Sequence, residues 1–161
     1  MAVDMFLDLG SKIKGESQDA DYKDKIDILG YQWGLDNAGS AHTGTGGGTG
    51  KVSIHDITIN KYVDLASPNI MQYCAGGDHF DAATIYVRKA GGKAMVYLKI
   101  DMKKVLISHY HIGANTTADR LTESIALHFA EVKVEYSPQG DKGSKGGGQH
   151  FSWNIPKNSK D

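Results

Sequence analysis

The sequence predicts a mainly β chain with one short helix, and three observations predict it. Apolar side chains recur with period two, the spacing that puts alternate residues on one face of a strand. Glycine doublets and glycine-rich runs separate those segments, as turns and loops require. One segment, starting at Ser67-Pro68, carries helical spacing instead.

Taken in order, Val3, Met5 and Leu7 share a face against polar Asp4 and Asp8. Ile26 and Ile28 share the next, with Leu29, Tyr31 and Trp33 following. Val52 and Ile54 lie on one face, Ile57 and Ile59 on the opposite one. A β-bulge at His55-Asp56 is expected, because one extra residue flips the face. Ser67 is placed as the cap and Pro68 at the first helical position, giving a helix over about residues 67–75 that Gly76-Gly77 stops. A helix so short must dock on the sheet to persist. Cys74 falls on its packing face.

Ile85 and Val87 then lead into Gly91-Gly92, a two-residue hairpin turn in which both glycines take positive φ. The return strand carries Ala94, Val96, Leu98 and Ile100. Val105 to Ile112 is apolar or aromatic on both faces, which predicts a strand covered on both sides. Ile125, Leu127 and Phe129 form a face, and Val132, Val134 and Tyr136 change phase near Ala130-Glu131, predicting a second bulge or strong bend. Phe151, Trp153 and Ile155 make the last strand.

The chain has 161 residues, of which 40% are hydrophobic, and this fits one domain over residues 1–161 with its own core. A net charge of −1 argues against nucleic acid as the main partner. Cys74 is the lone cysteine, so the fold needs no oxidising compartment. The N-terminus lacks the basic and apolar regions of a Sec-type signal peptide, and no run reaches the roughly 20 apolar residues of a membrane span. Synthesis in the cytosol and a soluble product are expected.

Chemistry finds little purchase. Gly39–Gly50 resembles a phosphate loop only in composition. Position 45 is Thr, Lys51 is followed by Val52, and the loop feeds a strand, whereas phosphate cradles feed a helix. His109 and His111 stand about 7 Å apart on one strand face, close enough to share a metal, but no third or fourth ligand is evident. A half-exposed strand face is the simpler expectation. Asp19, Asp21, Asp24 and Asp27 fall in or beside the polar stretch Gly15–Lys25, expected to be a solvated loop. Tyr31 and Trp33 are expected in the core or at an interface. No catalytic residue, cofactor or metal is expected. A monomeric β-barrel that binds a small ligand or carbohydrate is the alternative that composition permits.

Several motifs occur in a specific order. Ile13-Lys14-Gly15-Glu16-Ser17 precedes Lys25-Ile26-Asp27-Ile28-Leu29 and Trp33-Gly34. Gly50-Lys51-Val52 leads to Thr58-Ile59-Asn60-Lys61-Tyr62-Val63-Asp64 and Ala66-Ser67-Pro68-Asn69. Arg88-Lys89-Ala90-Gly91-Gly92-Lys93, Tyr97-Leu98-Lys99-Ile100, Thr122-Glu123-Ser124-Ile125-Ala126-Leu127-His128-Phe129-Ala130, Val134-Glu135-Tyr136, Gly146-Gly147-Gly148 and Phe151-Ser152-Trp153-Asn154-Ile155 follow, and Met5-Phe6-Leu7 opens the series. In this order they resemble the Hcp family, the haemolysin-coregulated tube proteins of bacterial type VI secretion. The resemblance covers roughly residues 3 to 157. The stretch His109-Tyr110-His111 departs from the family pattern.

The resemblance implies two packed antiparallel sheets in a barrel-like sandwich with the short helix at its flank. It implies a homohexameric ring with a wide channel, stacked into a tube that is assembled in the cytoplasm, propelled by a sheath and itself exported. Sheath, spike and baseplate proteins would be partners, and small effector proteins would ride in the lumen. It assigns ring stacking to the loop of Gly39, Ser40, Ala41, His42, Thr43, Gly44, Thr45, Gly46, Gly47, Gly48, Thr49 and Gly50.

Overall fold

The computed structural model describes residues 2–39, 49–89, 94–138 and 147–160. The strands are β1 (Val3–Asp8), β2 (Ile26–Asp27), β3 (Gly30–Gln32), β4 (Leu35–Gly39), β5 (Thr49–Ile54), β6 (Ile57–Tyr62), β7 (His79–Lys89), β8 (Val96–Gly113), β9 (Thr122–His128), β10 (Glu131–Tyr136) and β11 (Gln149–Asn154), and the helix α1 spans Ser67–Gly76. A nine-stranded antiparallel sheet runs in the order β2-β1-β7-β8-β9-β6-β3, with β10 branching from β8 and β11 beyond it. Among the described residues β4 and β5 pair only with each other.

One bend shared by three strands turns this sheet into a sandwich. β9 and β10 follow the same edge of β8 in one register: Leu106 faces His128, Lys103 faces Glu131, and the residues between are unpaired. β7 also skips a pair here, between Phe80↔Val105 and Ala82↔Lys103. At this level the inward side chains shift by one position on every strand. Phe80 gives way to Ala83 and Ile85, Met102 to Val105 and Ile107, and Phe129 to Val132, all buried. Lys104 takes φ 54° to make the turn. Strands that bend in this way pass from one layer to the other and form a corner. The phase change expected near Ala130-Glu131 is this bend.

The sheet's two end strands come from one segment. Ile28 N–H donates to Met5 O at 3.1 Å on β1, and Leu29 N–H to Asn60 O at 2.8 Å on β6. Residues 26–32 thus run along a seam between the ends, and the sandwich stays barrel-like without closing strand to strand. Between the layers lie Leu7, Ile26, Ile57, Ile59, Ile85, Ile100, Ile107, Ile125 and Leu127, all 2% exposed or less. The period-two reading predicted these residues as sharing strand faces, and the structure turns those faces inward.

Four expectations are corrected. His55-Asp56 is not a bulge: the chain leaves the separate β4–β5 sheet there and enters the main one at β6. A change of sheet shifts the burial phase just as an inserted residue does. Ser67 does not cap α1; the N-cap is Ala66, with no side-chain bond, and Ser67 is buried in a polar cluster described below. Gly77, at φ 68°, ends the helix as expected. Residues 109–113 are not covered on both sides, because His109, His111, Ile112 and Gly113 are exposed. The stretch Gly15–Lys25 is not simply solvated. Tyr22 stacks on Phe6 with centroids 4.5 Å apart, and buried Arg88 pairs with Asp19, with Asp4 at 3.4 Å and with Asp21 at 3.6 Å. The Arg88 guanidinium holds the Asp19 carboxyl below its ordinary range. The turn expected at Gly91-Gly92 lies outside the described residues; the strands either side of it do pair.

A left-handed backbone costs a side-chain-bearing residue roughly 1–2 kcal/mol, part of which glycine returns through its freer unfolded state. Lys104 is exposed, so Lys104→Gly is expected to raise stability by about 0.5–1 kcal/mol in urea unfolding. Lys104→Val, branched at Cβ, should lower it.

Candidate functional site

Among the described residues the candidate surfaces are those left unpaired. Among the described residues no three His, Cys, Asp or Glu side chains are arranged to hold a metal ion. His109 and His111 lie on one exposed face, and Cys74 is half-buried against the core. Ser108 Oγ donates to Asp56 Oδ2 at 2.6 Å, and His128 Nδ1 meets Asp56 Oδ1 at 2.7 Å. The carboxylate sits between hydroxyl and imidazole, so the imidazole is not placed as a base on the serine.

The β4–β5 arm is the first surface. Leu35 faces Ile54, Asp36 faces Ser53, Asn37 faces Val52, and Gly39 faces Thr49. Every residue of β4 is exposed. A Cβ on Gly50 would lie 2.7 Å from Ala38 O, so only glycine allows the two backbones to approach this closely. At its base the arm is clamped to the body. Trp33 Nε1–H donates to His55 O at 3.0 Å, His55 N–H to Gly34 O at 3.0 Å, and His55 Nε2 meets Asp36 Oδ2 at 2.7 Å. Trp33 packs on Phe129 and Phe151. Of the loop singled out from sequence, Gly39, Thr49 and Gly50 belong to this arm, and residues 40–48 lie outside the described residues.

The second surface is the edge at β11, which among the described residues pairs only with β10. Beside it Tyr136 is 49% and Phe151 37% exposed. An unpaired edge next to uncovered aromatics is a template for another strand. On the outer face of this layer the charges cancel locally. Lys103–Glu131 at 3.9 Å, Lys99–Asp101 at 3.4 Å and Lys133–Glu135 at 2.7 Å alternate in sign along and across β8 and β10.

Behind these surfaces sits a buried ionic cluster. Lys61 and Glu123 are paired with both side chains fully buried. Lys61 Nζ also donates to Tyr62 O at 2.8 Å and Asp64 Oδ1 at 2.9 Å. Ser67 Oγ donates to Glu123 Oε1 at 2.7 Å, and Tyr110 O–H to the other carboxylate oxygen. Burial and the Glu123 carboxylate push the Tyr110 phenol well above its ordinary range. The cluster fastens β6, β8, β9 and the start of α1 together. Of these residues sequence reasoning gave a role to Ser67 alone, as a helix cap, and none to Lys61, Asp64 or Glu123. The available signal was Lys61 at the third inward position after Ile57 and Ile59.

A family model described as "Type VI secretion system effector, Hcp" matches residues 6–136. Protein hcp1 of Pseudomonas aeruginosa is 46% identical over 160 residues, 98% of each chain. The chain belongs to the Hcp family. A solved structure of a type six secretion system protein has a TM-score of 0.92 at 29% identity, covering 99% of this chain and 100% of its own. Hcp1 from Salmonella typhimurium gives 0.82 at 30% identity, with 99% of each chain covered. Hcp members are secreted tube proteins of type VI secretion that self-associate. Lys61, Asp64, Ser67 and Glu123 all fall within the motifs that carried the resemblance.

Removing one partner of a buried ion pair leaves the other uncompensated, at a cost of about 3–5 kcal/mol. Lys61→Met is expected to lose that much in chemical denaturation. Lys61→Met combined with Glu123→Leu should recover most of it, since an apolar pair of similar volume is tolerated.

Proposed function

We propose that residues 1–161 form one tube domain that closes into a homohexameric ring, and that rings stack through residues 39–50. The subunit is assembled in the cytoplasm and exported by the type VI apparatus, with sheath, spike and baseplate proteins as partners and small effectors in the ring lumen. It acts as a building block and not as a catalyst.

The observation that carries this reading is the arm. A two-stranded ribbon is marginal alone in water, yet among the described residues β4 and β5 have no further strand beside them. A contact with a second subunit supplies the missing cover. The open β11 edge supports ring closure separately, because a heterologous edge contact repeated by rotation makes a ring.

Arm and edge are distinct elements, so they separate in one experiment. A chain lacking residues 42–47 is expected to keep its rings in native mass spectrometry and to lose long stacks in negative-stain microscopy. Folded monomers without rings would assign the arm to ring closure instead.

A further inference from the structure

We propose that Trp33 couples the arm to the open edge at β11, so that closing a ring at that edge stiffens the arm for stacking. This coupling rests on the assembly proposed above and adds an order to it, ring first and stack second.

The arm joins the body through two short joints. Trp33 and Gly34 lie between β3 and β4, and His55 and Asp56 between β5 and β6. The His55 ring lies on Gly34, where a Cβ would stand 3.4 Å from its Nδ1. His55 N–H donates to Gly34 O, and His55 Nε2 meets Asp36 Oδ2. Both of these contacts stay within the arm and its joint, and neither reaches the body.

The side chains of Asp56 and Trp33 do reach the body. Asp56 is fastened to β8 through Ser108 and to the end of β9 through His128. Trp33 gives its indole N–H to His55 O at 3.0 Å and sets its ring against Phe129 and Phe151, with centroids 6.3 Å and 6.4 Å away. Phe129 is 2% exposed and is fixed by the core. Ser108 and His128 stand on inner strands of the sheet. Phe151 differs from these three anchors. It is 37% exposed and stands on β11, whose far edge carries no strand among the described residues.

A strand added at that edge would place a side chain roughly 5 Å from Phe151 on the same face. Phe151 would lose its freedom to turn away from Trp33, and an aromatic pair held in contact stabilises beyond the area it buries. Trp33 would then hold His55 O more persistently, and both joints of the arm with it. The arm is a two-stranded ribbon, marginal by itself, so a small gain at its base changes how often it opens. Such coupling is reciprocal: an arm fixed by the next ring also tightens ring closure.

The test follows amide hydrogen exchange of β4 and β5 by mass spectrometry in the whole protein, as monomers and as single rings kept too dilute to stack. Arm amides are expected to exchange about fivefold more slowly in single rings, the factor that one aromatic contact supplies. Trp33→Phe keeps an aromatic ring against Phe129 and Phe151 but has no N–H for His55 O. It should still form rings and lose most of that gain. Asp36→Asn weakens a contact inside the arm, so it should speed exchange in both states and keep the ratio. Equal exchange in wild-type monomers and single rings, or a full gain in Trp33→Phe, would overturn the coupling. Native mass spectrometry of the same samples reports ring formation separately. A chain without rings overturns the assembly reading and the coupling together, whereas rings with an unchanged arm overturn the coupling alone.

Discussion

The bend at Asp81, Lys104 and Ala130 is the constraint on which the rest of the structure depends. A strand of 18 residues such as β8 is too long for one layer of a small sandwich. By bending where its neighbours also bend, it serves both layers. Its first half pairs with β7 and β10, and its second half with β9. The backbone groups left unpaired at the corner find other partners: Ala130 N–H donates to Lys103 O at 3.1 Å, and Ile155 N–H to Ala130 O at 2.9 Å. Among the described residues, the corner leaves β10 and β11 as a branch with a free edge.

The parts of this fold that obey local periodicity were legible in the sequence. Ile57 and Ile59, or Ile125 and Leu127, announce their inward face without knowledge of the partner strand. Breaks in phase were legible as breaks, but their cause was not. At Ala130 the break is a bend, and at His55 it is a passage between two sheets. Both move the apolar face by one residue, and only the pairing partner tells them apart. The helix ends show the same limit. Gly77 stops α1 through its own backbone freedom, which sequence reveals. Ser67 carries a capping residue's identity yet spends its hydroxyl on Glu123, 56 residues away in sequence.

The polar interior was least legible for the same reason. Lys61 continues an apolar face, and its partner Glu123 is 62 residues distant. Arg88 is buried because Asp19 and Tyr22 return from a stretch whose composition reads as solvated. In each case a long-range charge pair overrides the local rule that charge belongs outside. Such pairs add little net stability compared with apolar replacements, but they penalise wrong registers strongly. For β6 and β9, which share one ladder, a slip of one residue would carry Lys61 to the solvent side and leave Glu123 alone in the core. The cluster therefore fixes the register of the layer whose outer face carries His109 and His111.

That connection gives the outer faces their meaning. The two layers share a core but differ outside: one bears a checkerboard of paired charges, the other short neutral side chains with two unpaired imidazoles. Neither pattern is needed for folding, since exposed strand positions accept most polar residues at small cost. A self-neutral grid presents no net field to a passing protein, whatever the pH between the carboxylate and lysine ranges.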